Sequence, residues 1–171
     1  MPAEPVIRDA VADDLPAISG LYNALIPSTT VAWTEWAETI QDRRAWFAAR
    51  TGSGDATLVA EAGEGGVIGY AAYGPFRDNV KWPGYRWTVE HTIHVDGDWH
   101  GKGVGRALLE ALVDRARAQG MHVMIGALDG ANEASIRFHV RLGFEVVARL
   151  PEVGRKFDRW LDLVLVERKL D

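Results

Sequence analysis

A strand that runs through alternate glycines into a long amphipathic helix leaves a chain few folds to choose from. Val89-Glu90-His91-Thr92-Ile93-His94-Val95 is such a strand, and His100-Gly101-Lys102-Gly103-Val104-Gly105-Arg106-Ala107 is the turn that follows. From Gly103 to Gln119, Val104, Leu108 and Leu112 stack at i, i+4 and i+8 beside Ala107 and Ala111, and Gly120 supplies the stop. Glycine lets the backbone approach a ligand closely, and a helix N-terminus offers bare N–H groups and about half a positive charge. A diphosphate suits that place. A Walker loop is excluded, because Lys102 is followed by Gly103 and Val104 and not by Lys-Ser/Thr spacing. A dinucleotide fingerprint would want glycine where Arg106 stands, and would follow the first strand of a βαβ unit.

The remaining elements read off their periodicity. Val6–Ala10 is a short strand; Asp13 or Asp14 caps a helix through Leu15, Ile18, Leu21, Tyr22 and Leu25, which Pro27 ends. A second helix is expected from about Glu35 to Arg50 on the spacing of Trp36, Ile40, Trp46 and Phe47, closed by Gly52 and Gly54. Thr57–Glu61 and Val67–Tyr73 flank Gly63-Glu64-Gly65-Gly66 as a β-hairpin. The stretch from Pro75 to Arg86 is an aperiodic loop before the strand Trp87–Val95. Val123–Leu128, Phe144–Leu150 and Trp160–Glu167 are strands, and Ser135–Leu142 is a short helix ended by Gly143. The expectation is a mixed α/β fold of about seven mostly antiparallel strands and about four helices.

With 171 residues, 47% of them hydrophobic and seven of them Trp, one domain over 1–171 with one substantial core is expected, the core of the domain spanning about 5–170. The formal charge of -5 argues against general attraction to nucleic acid or anionic lipid, so an anionic ligand must be held by local geometry. No apolar run is long enough to span a bilayer, and Met1-Pro2-Ala3-Glu4 does not open a signal peptide; a cytoplasmic protein is expected. The absence of cysteine removes thiolate metal sites and a cysteine acyl-enzyme. His91 and His94 point to opposite faces of a strand and no HExxH occurs, so no metal is expected.

The glycine segment closely resembles motif A of the GNAT superfamily of N-acetyltransferases, R/Q-x-x-G-x-G/A, with His100 in place of the usual Arg or Gln. Asn132-Glu133-Ala134-Ser135 and Phe138-His139-Val140-Arg141-Leu142-Gly143-Phe144 are similar to a later motif of the same superfamily. Tyr73–Arg77, Tyr85–His91 and Val153–Asp162 resemble its phosphinothricin and methionine sulfoximine acetyltransferase branch. The resemblance implies transfer of acetyl from acetyl-CoA to the α-amino group of a small amino-acid analogue, by a homodimer. It also implies a cofactor site of Ile93, His94, Val95, His100, Gly101, Lys102, Gly103, Val104, Gly105, Arg106, Asn132 and Ser135, with Asn132 on the pantetheine arm.

Acetyl transfer needs an amine without its proton, a thioester carbonyl at attack distance and a proton for the departing thiolate. Glu90, Thr92 and His94 share one face of their strand, away from Val89, His91, Ile93 and Val95. Burial there raises a carboxylate pKa toward values useful to a base, so Glu90 is the candidate base, directly or through water; a pair with Arg86 or another cation is the structural alternative. The resemblance makes His139 the candidate acid, where the residues alone allow a surface helical histidine. Asn132 or Ser135 can equally cap its helix. In the long loop, Phe76, Arg77, Tyr85 and Arg86 combine aromatic walls with cations suited to a carboxylate; the alternatives are dimer contacts or solvation. Lys156, with Phe157 and Trp160, is expected to complete the substrate pocket, from the same chain or a partner subunit.

Overall fold

The computed structural model describes residues 5–63 and 66–171. Met1–Glu4 and the Glu64-Gly65 pair of the expected hairpin turn lie outside the described residues. The order is β1 (Val6–Asp9), α1 (Leu15–Leu25), α2 (Ile40–Ser53), β2 (Thr57–Ala62), β3 (Gly66–Pro75), β4 (Thr88–Val95), α3 (Val104–Ala118), β5 (Val123–Asp129), α4 (Glu133–Arg141), β6 (Glu145–Lys156) and β7 (Arg159–Lys169). The strands form one sheet in the order β1-β2-β3-β4-β5-β7-β6. All neighbours are antiparallel except β4 and β5, whose parallel pairing runs from Thr88↔Val123 to His91↔Gly126. The mixed, mostly antiparallel sheet expected from the sequence is the one observed.

The helices cover both faces. On one, Leu108, Leu109, Leu112 and Val113 of α3 pack on Leu58, Ala60, Ala71, Tyr73, Val89, Met124, Val164 and Val166. On the other, Leu15 and Ile18 of α1 and the partly buried Ile40, Trp46 and Phe47 of α2 meet Val59 and Tyr70. The 3.6-residue stripe of α3 and the two-residue alternation of the strands therefore build the two layers as expected.

Three local readings change. The second helix starts at Ile40, because Thr39 accepts from the Asp42 amide and Asp42 accepts from the Thr39 amide, a reciprocal cap. Trp36 lies before that cap, 81% exposed, and Gly54 ends the helix in the left-handed conformation. Ahead of α1, the Asp14 carboxylate turns back to the Val11 amide and Arg8 instead of capping the helix. Finally, β6 and β7 continue beyond their expected ends into a tight hairpin at Phe157-Asp158, both at positive φ, 50° and 55°. Neither residue is the Gly or Asn that announces such a turn.

Candidate active site

Parallel pairing stops at His91↔Gly126, but β4 continues to Val95 and β5 to Asp129. Between these ends the sheet opens. Two cavities meet there, sharing Val31, Ile93, His94, Asn132, Ser135 and His139. One, of about 530 Å³, runs past Trp99, His100, Gly101, Gly103, Gly105, Arg106 and Phe138. The other, of about 380 Å³, is walled by Tyr22, Ala32, Trp33, Thr34, Thr92, Leu128 and Asp129.

The first cavity ends at the start of α3. Gly101 and Gly103 have φ of 73° and 84°, a conformation that side chains resist. Gly105 lies inside the helix, where an added Cβ would stand 3.4 Å from the Phe138 ring. Among the described residues no side chain caps α3, so its first amides stand at the cavity mouth. The His100 ring bonds the Val95 carbonyl at 2.9 Å, tying the loop to the end of β4. Lys102 lies over Trp99, Arg106 pairs with Glu110, and the Val104 side chain is buried in the core, so from Val104 only the amide is free to serve a ligand. This is an unclaimed anion cradle, and it fits the diphosphate end of acetyl-CoA.

Asn132 caps α4 by accepting from the Ser135 amide at 3.1 Å, which turns both residues toward the shared wall of the cavities. His139, 1% exposed, donates from Nδ1 to the Ser135 carbonyl at 2.7 Å. Its Nε2 is then an acceptor, 3.2 Å from Nε2 of His91, whose ring stacks on it with centroids 5.0 Å apart. Gly126 makes room for that pair, since a Cβ there would stand 3.1 Å from His91 Cε1. Burial lowers the pKa of both histidines, His91 to about 3. A general acid needs an N–H aimed at the leaving group, and His139 aims its N–H at a carbonyl. His139, expected as the acid, lines the wall shared by both cavities with that N–H turned to the Ser135 carbonyl.

His94 sits on the opposite face between Tyr22 and Tyr70, its Nε2 3.1 Å from Thr92 Oγ1. Burial and the nearby Arg43 guanidinium lower its pKa to about 4. Arg43 itself is stacked on Tyr22, Trp46 and Tyr70 and paired with Glu38. Glu90 lies on this face, half-buried, with its pKa raised by burial. Among the described residues no cation lies within ion-pair distance of it; Arg86 instead donates to the Pro83 carbonyl and stacks on Trp87.

Phe76 and Tyr85 meet edge to face at 6.1 Å under the Arg77 guanidinium, an exposed cluster outside the two cavities. Lys156 departs furthest from expectation. It is 2% exposed, and Nζ donates to the carbonyls of Ile26, Thr29 and Ala32 at 2.8, 2.7 and 2.8 Å. With all its donors spent on backbone, it cannot bind substrate. The loop it holds supplies Val31, Ala32, Trp33 and Thr34 to the cavity, none of them found by sequence reasoning. Their only signal was a Trp in an aperiodic polar stretch between two helices.

The profile of the acetyltransferase (GNAT) family matches residues 18–144. An L-methionine sulfoximine/L-methionine sulfone acetyltransferase of Pseudomonas paraeruginosa is 48% identical over 96% of this chain and 94% of its own length. A phosphinothricin N-acetyltransferase of Streptomyces coelicolor is 34% identical over 98% of both chains. Among solved structures, a phosphinothricin acetyltransferase from Sinorhizobium meliloti in complex with AcCoA superposes with a TM-score of 0.92 at 35% identity, covering 98% of this chain and 89% of that one.

Proposed function

The chain belongs to the GNAT family of acetyltransferases, and from that premise we propose that it transfers acetyl from acetyl-CoA to the α-amino group of a small amino-acid analogue of the methionine sulfoximine, methionine sulfone or phosphinothricin type. The observation that carries this reading is the uncapped, glycine-opened start of α3 at one end of a continuous cavity whose other end lies along the Thr92 side of β4. When bound, acetyl-CoA supplies an activated acyl group on a leaving thiolate. The amides of Gly103 to Arg106 would hold its diphosphate, and Asn132 and Ser135 would flank the arm.

Glu90 takes the proton of the attacking ammonium, directly or through water, and its raised pKa keeps it basic enough to do so. No nucleophilic cysteine exists to carry the acyl group, so the amine attacks directly in a ternary complex; as the C–N bond forms and the C–S bond breaks, the second proton of the nitrogen passes to the departing thiolate. Arg77 and Arg86 lie with Phe76 and Tyr85 outside the two cavities, and we assign them to the substrate carboxylate on their charge alone. We assign the enzyme to the cytoplasm and read it as a metal-free homodimer. Support for the dimer is the exposed apolar run Val146, Val147, Leu150 and Val153 on edge strand β6, with Trp160 beside it.

The test is thiol release from acetyl-CoA with phosphinothricin, methionine sulfoximine, methionine sulfone, spermidine and a short peptide, with Glu90→Gln in parallel. Turnover confined to the amino-acid analogues and lost in the variant is the expected result. Turnover of spermidine or peptide alone would replace the substrate class, and acetyl-CoA binding without turnover of any amine would make the protein a sensor. Sedimentation at working concentration checks the dimer.

A further inference from the structure

The loop between α1 and α2 has no helix or strand of its own, yet it forms the wall of the smaller cavity through Val31, Ala32, Trp33 and Thr34. Its shape is imposed from outside. Lys156, at the end of β6, gathers three of its carbonyls around one ammonium, and three acceptors match the three N–H groups of a charged amine. Two residues earlier on the same strand, Gly154 leaves room for the Trp33 ring, which a methyl group there would overlap. From β5, Asp129 accepts from the Thr30 hydroxyl. Three anchors on the C-terminal strands thus fix a loop that belongs to the N-terminal half.

We propose that Lys156 is a positioning residue that sets the acceptor side of the site: its ammonium holds the 26–32 loop, Gly154 seats the Trp33 ring, and Trp33 becomes the wall that limits the amine to a small guest. Val31 of this loop lines both cavities, whereas Trp33 and Thr34 line the one remote from the α3 cradle and not the one that ends at it, so the clamp bears mainly on the amine. This rests on the acetyl-transfer reading for the identity of the guest, but not for the clamp itself.

Lys156→Met keeps an unbranched side chain one atom shorter and removes its donors. With methionine sulfone as acceptor, KM for the amine is expected to rise about tenfold or more while KM for acetyl-CoA stays within about twofold. Gly154→Ala, which leaves Lys156 intact and displaces Trp33, is expected to raise the same KM. A readout independent of turnover uses the absence of cysteine: Ala32→Cys gives one thiol, and its labelling by a small aromatic disulfide is expected to quicken several-fold when Lys156→Met is added. Unchanged amine KM and unchanged labelling, with only a lower Tm, would reduce Lys156 to a stabilising contact and overturn the proposal. If the parent protein turns over no amine on the panel, the substrate reading falls, and the labelling rates alone decide the clamp. Should Lys156→Met fail to fold, Gly154→Ala carries both measurements.

Discussion

Glu90 and Gly126 show how single positions shape the two faces of the sheet. A half-buried carboxyl with no cation within ion-pair distance among the described residues holds its proton to higher pH than the ordinary 4.5, because burial penalises the charge. The base is active only when ionised, so kcat/KM is expected to fall on the acid side, with its midpoint above 4.5. Glu90→Gln should remove that limb and lower kcat by about 10²–10⁴, measured as thiol release across pH. On the other face, a Cβ at Gly126 would approach Val166 Cγ2 to 2.8 Å as well as His91. Gly126→Ala is therefore expected to cost about 1–3 kcal/mol in denaturant unfolding and to displace the His91–His139 pair, seen as shifted imidazole resonances. Glu90 was legible as a carboxylate mid-strand. The histidine pair was not, because its partners are 48 residues apart and meet only once β4 and α4 are packed.

At the scale of elements, legibility followed the strength of the local signal. The apolar stripe of α3 and its glycine entry needed no tertiary information, and α3 forms over Val104–Ala118 within a residue of the expectation. The start of α2 was misplaced because Trp36 happens to fit the helical period, whereas the Thr39/Asp42 cap decides the boundary. The β6–β7 turn escaped because Phe157 and Asp158 are held at positive φ by the long ladder on either side. The clamped loop had no period to read, and its conformation is set by residues more than a hundred positions away. One prediction belongs to the entry of α3. Gly103→Ala forces a methyl group into φ 84° at the N-cap, so it should destabilise by about 1–2 kcal/mol and weaken acetyl-CoA binding in calorimetry.

Across the whole molecule, buried imidazoles make the fold sensitive to acid. His94 titrates near 4 in the folded chain and near 6.5 when unfolded. Between those values the unfolded chain takes a proton that the folded one refuses, so stability is full above 6.5 and falls as pH drops toward 4. That loss is about 3 kcal/mol for His94 alone, and His91, displaced further in the same direction, extends it downward. Melting temperature is expected to decline through this window, and His94→Phe, keeping the ring among Tyr22 and Tyr70, should flatten part of the slope.

The short parallel seam between β4 and β5 has a mechanical side. Within the sheet, four described residue pairs join β1–β4 to β5–β7, and the strands part just where the two cavities meet. A cofactor lying across that parting would be flanked by α3 on one side and α4 on the other. Hydrogen exchange should therefore report two cooperative units in the free protein, with amides around Met124 and Ile125 opening independently of β2 and β3. Bound acetyl-CoA should merge them into one, so the substrate serves as the missing rungs of the sheet that it divides.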